Sequence, residues 1–439
     1  MRAILPILLS ALACGVVQAQ SFTEVDSVDL ATIDPATNNG HLGRNVALAG
    51  DGNTVLVAAP FKEDANDGGS QDGSVYALRV RRDGTLDFLQ AIEPVARYQF
   101  GTTLAADGIW AAIGEANDTI HLYRETVGGW TPAQILSLDD VPATPGITLR
   151  NLRSASALSG DLLALGDTSA NLVVNSAPVS NGGAVVLFRR GGDSIWRHEA
   201  TLIAPTPDSS SGFGGALALS GDTLLVGAPE DSIGTDNVGG AYVFQRSGGT
   251  WSHVRTLRNP DAGQTSRFGW SVALEGDLAI VGCATCLTLP NPEDPSNTGS
   301  FFAHERNLGG SANWGLRGEF ASSAPGYIDN FSIALRLRDD TLLVGASGSK
   351  QAVFFTRAGN GQWHEVARLV SAEAGLARTT NFGIGVDFVG GRALIGADGW
   401  PDTSTSARWG ELTSWLNPSV EACGGSFDGI FCDGYESFD

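Results

Sequence analysis

Lysine is nearly absent from this chain of 439 residues: Lys62 and Lys350 are the only two, so its cations are almost all arginine. With 27 Lys+Arg against 48 Asp+Glu, the formal net charge is -21. A surface so short of cations repels polyphosphates and anionic lipid, which excludes nucleic acid and an anionic membrane as natural partners and leaves bound cations open. Long apolar runs are missing after the amino terminus; no later segment approaches the ~20 residues of a membrane-spanning helix. Nor does an apolar spacing of 3.6 residues persist for three turns, which excludes a helical architecture. Hydrolase motifs are lacking too. His364-Glu365-Val366-Ala367-Arg368 has no second histidine for a metal, and no Gly-x-Ser-x-Gly elbow runs from a strand into a helix. Gly345-Ala346-Ser347-Gly348-Ser349-Lys350 is too short for a phosphate loop and reads as a glycine-rich turn.

The first residues have a clear pattern. Arg2, an apolar stretch from Ala3 to Val17 and a small-residue exit at Ala19 read as a secretory signal over residues 1–20, cleaved after Ala19 or Gln20. Ala11-Leu12-Ala13-Cys14 also loosely resembles a lipoprotein processing site, with leucine one place too late, so lipidation at Cys14 stays an alternative. Without Cys14 four cysteines remain, as the close pairs Cys283 with Cys286 and Cys423 with Cys432. In an exported chain both pairs read as disulfides. The Cys283-Ala284-Thr285-Cys286 spacing also fits a redox or metal half-site, which would need a helix or a second ligand pair that the neighbouring sequence lacks.

Residues 21–418 are built from one unit. Its clearest copies are 212-GFGGALALSGDTLLVGAP-229 and 267-RFGWSVALEGDLAIVG-282, with looser ones starting at His41, Gln99, Asn151, Asn330 and Phe382. Aligning the second residue of each Phe-Gly pair gives Gly43, Gly101, Leu152, Gly214, Gly269, Ser332 and Gly383, a spacing of roughly 50 to 65 residues. Within a unit, Ala216–Leu219 and Leu224–Ala228 flank a Gly221-Asp222 turn and predict a hairpin. Ala241–Phe244 predicts a third strand, and a tryptophan opens a fourth at Trp130, Trp196, Trp251, Trp314 and Trp363, with Phe88 standing in for it in the first unit.

Each unit is therefore expected to be a four-stranded antiparallel sheet, and the whole an all-β, seven-bladed propeller. The last unit ends at Trp415 without an outer strand. Phe22–Leu30, which precedes the first unit and otherwise belongs to none, is expected to supply it and close the ring. The repeated phenylalanine reads as a wedge between sheets, the glycine as a point of close backbone approach, and the tryptophans as cover for the outer edges. His198, His253 and His364 recur in equivalent outer strands, which places them on the surface rather than in one site.

Phe213-Gly214 followed by Gly227-Ala228-Pro229 resembles the FG-GAP repeat family, and the resemblance spans residues 22–415. It implies a propeller similar to the head of integrin α subunits, often in exported bacterial proteins with adhesive or ligand-binding roles, and calcium in an acidic loop after the second strand. In the first unit that loop offers Asp64, Asn66 and Asp72 as calcium ligands, with Gly68 where an acid is usual. Elsewhere Glu230, Asp231 and Asp236, then Glu293, Asp294 and Asn297, then Asp398 and Asp402 are weaker sets. The tail, residues 419–439, carries Ile430-Phe431-Cys432-Asp433-Gly434-Tyr435-Glu436. It resembles a short C-terminal signature of exported gammaproteobacterial proteins, either a sorting signal or a disulfide-pinned cap.

The expected function is that of a secreted, cell-surface or periplasmic protein of a Gram-negative bacterium. It would be a monomer binding an extracellular protein or glycan, with no catalytic residues assigned. The alternative is an exported hydrolase acting in the central funnel, which a cluster of carboxylates or histidines at the axis would favour. An aromatic patch on one face would favour binding.

Overall fold

The computed structural model describes residues 22–29, 33–34, 37–38, 40–50, 52–64, 71–94, 98–233, 236–260, 266–286, 298–323, 330–370, 381–399 and 410–417, with Thr37, Asn38, Asp64 and Ile233 described by their backbone alone. Residues 1–20, expected to be a leader, the tail with Cys423 and Cys432, and Asn66, Glu293, Asp294, Asn297 and Asp402 lie outside them. The described residues are almost entirely strands, with helix confined to short turns such as Leu138–Asp140.

The fourth repeat folds as its Gly221-Asp222 turn dictates. Gly221 sits at φ 53°, the left-handed conformation that a two-residue hairpin between Ala216–Ser220 and Thr223–Ala228 requires. Gly240–Ser247 and Thr250–Leu257 complete that sheet in sequence order. Seven such four-stranded antiparallel sheets occur among the described residues. Their first strands are Val46–Leu48, Leu104–Asp107, Ser156–Ser159, Ala216–Ser220, Val272–Glu275, Phe331–Arg338 and Gly385–Val389.

Each first strand touches the next sheet's first strand, and Gly385–Val389 of the seventh touches Val46–Leu48 of the first. The seventh sheet takes its outer strand from the other end of the chain: Thr23–Asp29 pairs antiparallel with Glu411–Leu416. Strands three and four of the first six sheets share one irregularity, a bulge at Leu78, Tyr123, Phe188, Phe244, His304 and Phe355. A bulge adds local twist, so six copies at one place give the sheets the same coil.

The second strands, such as Thr223–Ala228 and Thr341–Ala346, are buried at every residue because a neighbouring sheet covers each face. This is why they read as unbroken apolar runs rather than alternating ones. Phe213 is fully buried among Ala164, Val185 and Leu187 of the third sheet and Leu224, Val226 and Tyr242 of the fourth, a wedge between them. Phe268 and Phe100 do the same at their junctions.

Two sequence expectations need correction. The tryptophans are not a cover: Trp130, Trp196, Trp251, Trp314 and Trp363 are buried inside the clusters between sheets. In the first sheet the register sets Leu86 opposite Val80, the place of Trp251 opposite Arg246, so buried Leu86 replaces the tryptophan and Phe88 is 48% exposed. The smaller leucine had no aromatic signal by which to be found.

The glycines of the motif hold neighbouring sheets at backbone distance. A Cβ on Gly166, Gly227, Gly345 or Gly396 would collide with the carbonyl of Gly214, Gly269, Gly383 or Gly43, the Phe-Gly glycine of the next sheet. A Cβ on Gly183 or Gly239 would strike the carbonyl of Phe213 or Phe268 in the same way. Gly227→Ala is therefore expected to lower stability by about 2–3 kcal/mol, the cost of overpacking a rigid contact. Gly192→Ala, with nothing within 4 Å of its Cβ, should change it by less than about 0.5 kcal/mol. Urea denaturation of the two variants checks the difference.

Candidate functional site

Two regions collect polar side chains: the loops that follow the second strands, and the channel between the seven first strands. In the loops several of the described carboxylates are engaged. Asp231 is buried and accepts from the Tyr242 hydroxyl while pairing with Arg258 at 2.6 Å. Burial and the adjacent carboxylate both push the Tyr242 hydroxyl's pKa upward, so it stays a donor. Glu115, also buried, accepts the Tyr98 amide at 2.7 Å and lies 2.7 Å from His121 Nε2. Asp167 accepts the amides of Arg150 and Asn151.

Acids of one sheet also meet arginines beside the Phe-Gly position of the next: Asp118 with Arg153 at 3.0 Å, Glu230 with Arg267 at 3.3 Å and Asp398 with Arg44 at 3.2 Å. Of the expected calcium ligands, Asp64 lies in the short strand Glu63–Asp64 paired with Thr37–Asn38, and Asp72 is half-buried and gives its carbonyl to the Phe100 amide at 2.8 Å. Glu230 and Asp231 face guanidinium groups, and Asp236 is exposed. Among the described residues no three metal-binding side chains converge.

The cysteine pair after the fifth sheet's second strand is a disulfide, Cys283–Cys286, with both residues buried. It closes the turn that elsewhere carries the acids. His198 and His253 are not free surface groups: each is half-buried against a threonine, Thr201 and Thr256 at 3.0 Å, and burial pushes both imidazoles toward the neutral form. His364 is exposed.

The channel, about 220 Å³ in its middle, is lined there by residues such as Val46, Ala105, Leu217, Leu335, Arg336 and Val386, and exposes more polar than apolar surface. Its mouth on the face of the hairpin turns, about 340 Å³, holds Asp107, Glu275, Arg336 and Arg338. These groups are largely spent on joining sheets. Asp107 accepts the Gly160 amide at 2.6 Å. Fully buried Asp387 of the seventh sheet accepts from Arg336 at 2.8 Å, from Arg338 at 3.1 Å and from the Leu48 amide of the first sheet at 2.8 Å. Burial alone would raise the Asp387 pKa, but the two guanidinium groups and the amide outweigh it and hold the pKa below the ordinary carboxylate range. Glu275 goes the other way: burial and neighbouring Asp339 raise its pKa, and its Oε2 is buried without a partner.

The opposite mouth, about 310 Å³, opens among the Phe-Gly ends and is lined by Arg44, Thr102, Thr103, Ser156, Trp270 and Ile384 among others. Trp270, 36% exposed, carries the Arg267 guanidinium 5.1 Å from its ring centroid. Sequence reasoning passed over Trp270 because it follows the motif directly and resembles no strand-opening tryptophan.

Residues 196–244 and 251–300, parts of the third to fifth sheets, each match the FG-GAP repeat family, and the fold is of propeller type. No curated protein matches the chain. Among solved structures it is similar to a protein from Lactobacillus plantarum, at 13% identity over 75% of this chain and 85% of that one, TM-score 0.48. It is also similar to the periplasmic gluconolactonase of Pseudomonas aeruginosa, at 15% identity over 75% and 85%, TM-score 0.49. Likenesses this distant bear on neither substrate nor reaction.

Two pH-dependent outcomes follow from the channel carboxylates. A raised carboxylate pKa means that the folded state binds the proton more tightly, so stability falls as pH rises from the unfolded value through the folded one. Glu275→Gln should therefore raise Tm at pH 7 and leave it nearly unchanged at pH 4, as thermal unfolding at both pH values will show. Asp387 has the opposite sign: its contribution is full above the ordinary carboxylate range and is lost as pH falls through its lowered pKa. Asp387→Asn should cost about 3 kcal/mol at pH 7, less in acid, by urea denaturation.

Proposed function

We propose that the chain is an exported binding protein of the adhesion type, acting outside the cytoplasm or at the cell surface of a Gram-negative bacterium and recognising an extracellular protein or glycan as a monomer. In this reading residues 1–20 are a removed leader, residues 21–418 are a closed seven-bladed propeller and residues 419–439 are a short appended tail. Support for the closed ring comes from the pairing of Thr23–Asp29 with Glu411–Leu416 and from the close approach of Gly396 to the Gly43 carbonyl. Arg392 of the seventh sheet adds a bond to the Val80 carbonyl of the first at 3.0 Å. No helix among the described residues is long and apolar enough to cross a membrane.

The observation that carries the binding reading is the channel mouth at Trp270, where a large aromatic side chain stays 36% exposed. Aromatic surface left open in a concavity is what recognition uses. Of the carboxylates at the other mouth, Asp107 is tied to the Gly160 amide, and Glu275 stands as a single acid with no further carboxylate and no histidine among the described residues lining the mouth beside it. Labelled protein at about 10 µM is expected to mark at least one spot on arrays of glycans and extracellular matrix proteins. Blank arrays together with turnover of chromogenic esters or glycosides would replace binding with the funnel hydrolase.

Calcium belongs to the same proposal through Asp64, Asn66 and Asp72 of the first repeat. Calorimetry of chelator-treated protein should show heat at micromolar to low-millimolar calcium that Asp64→Ala removes. Heat surviving that change would place the main site elsewhere.

A further inference from the structure

On the outer rim, away from the channel, we infer an intramolecular docking surface: residues 418–439 fold back across the junction of the seventh and first sheets, where Phe427, Ile430 and Phe431 cover an exposed apolar patch. This is independent of the binding reading above. Thr23–Asp29 and Leu86–Ile92, the outer strands of those two sheets, touch each other, and the Leu86 amide donates to Asp26 at 2.8 Å. Val25, Phe88 and Leu89 stand exposed on them. Val25 and Leu89 are each skipped by the strand register, as the extra residue of a bulge, which re-aims the side chain.

An unpaired strand edge is normally blunted by charge or by proline. The outer strand of the second sheet has Pro132, and those of the third to seventh sheets each carry at least two ionisable side chains, such as Arg197 and Glu199 or Arg317 and Glu319. Leu86–Ile92 has only Asp87, which Arg81 holds at 2.5 Å. That edge needs a cover.

The exit of the chain selects the occupant. Ser414 donates to the Gly84 carbonyl at 2.5 Å, Leu416 lies opposite Thr23, and the Asn417 amide donates to the Gly391 carbonyl at 2.8 Å. Gly84 belongs to the turn that opens Leu86–Ile92, so residue 418 starts beside the patch. Extended chain from Asn417 to Phe427 reaches up to ~33 Å, more than the roughly 23 Å length of the strand. So short a tether holds the two surfaces at millimolar effective concentration, and modest contacts suffice.

Charge agrees with this occupant. Residues 418–439 carry Glu421, Asp428, Asp433, Glu436 and Asp439 and no Lys, Arg or His. The hairpin that leads into the patch has Arg79, Arg81 and Arg82, all exposed, and neither Arg79 nor Arg82 pairs with a carboxylate among the described residues. Nearby acids are engaged: Asp26 by the Leu86 amide, and Asp83 by the Thr85 amide at 3.1 Å. The segment is thus a clasp over the junction where Thr23–Asp29 pairs with Glu411–Leu416, a cap rather than a sorting signal.

The test places a photoreactive p-benzoylphenylalanine at Leu89 in the full chain and maps the cross-links by mass spectrometry. Irradiation is expected to join position 89 to residues 418–439 in a product that runs as a monomer. Cross-links between two copies, or none to that segment, overturn the inference. In a second measurement, Phe431→Asp is expected to speed hydrogen exchange in Thr23–Asp29 and Leu86–Ile92 by about tenfold while Thr250–Leu257 keeps its rate. Unchanged exchange in the first two strands overturns the clasp, and the Leu89 probe decides by itself if Phe431→Asp does not fold.

Discussion

The carbonyls of Gly43, Gly214, Gly269 and Gly383 lie where the side chain of the preceding sheet's second-strand glycine would be, and the spacing of these sheets depends on that contact. At the junctions of Gly166 with Gly214, Gly227 with Gly269, Gly345 with Gly383 and Gly396 with Gly43, backbone meets backbone and no side chain larger than hydrogen fits. The phenylalanine one residue earlier fills the wider space beyond, as Phe213 does between the third and fourth sheets. The pair thus sets a close inner contact and an apolar outer wedge from two adjacent residues. Where the motif weakens, other groups take over. Ser332 stands at the glycine position of the sixth sheet, accepting the Cys283 amide at 3.0 Å and donating to the Ser300 carbonyl at 2.7 Å.

The acidic loops belong to this same structural system. Three described acids after a second strand, Asp118, Glu230 and Asp398, meet arginines next to the following Phe-Gly position. An arginine supplies in cis what a divalent cation supplies to oxygen-lined loops, a compact positive charge held by several oxygens. The scarcity of lysine fits this use, since a planar guanidinium serves two or three acceptors where an ammonium is a point charge. Lys62 is the exception; buried in the first sheet, it meets Asp34 at 2.8 Å and Glu93 at 2.5 Å.

Much of the fold was legible in the repeats. Turn glycines, unbroken apolar second strands and the orphan segment at Phe22–Leu30 predicted four-stranded sheets and a strand shared between the ends, and Thr23–Asp29 does pair with Glu411–Leu416. The first sheet's outer strand was misread because Phe88 resembled the missing tryptophan, while the bulge at Leu78 shifts the register and buries Leu86 in its place. The candidate site was far less legible. Glu230, Asp231 and Asp398 looked like metal ligands in isolation. Their partners Arg267, Arg258 and Arg44 lie 37, 27 and 354 residues away in sequence, and local spacing has no access to them.

The sequence by itself determined the repeating sheet, because strand, turn and glycine signals act over a few residues and recur along the chain. It also determined the sign of the surface charge and the absence of known catalytic motifs. Only the tertiary structure decided which charges are free and which are spent, and that Trp270, Thr102 and Ser156 from three different sheets line one mouth. The physical reason is that the first strands converge on a common axis. Each repeat contributes only its first strand and the residues beside it to the lining of the channel, so no single repeat carries the pattern of the mouth.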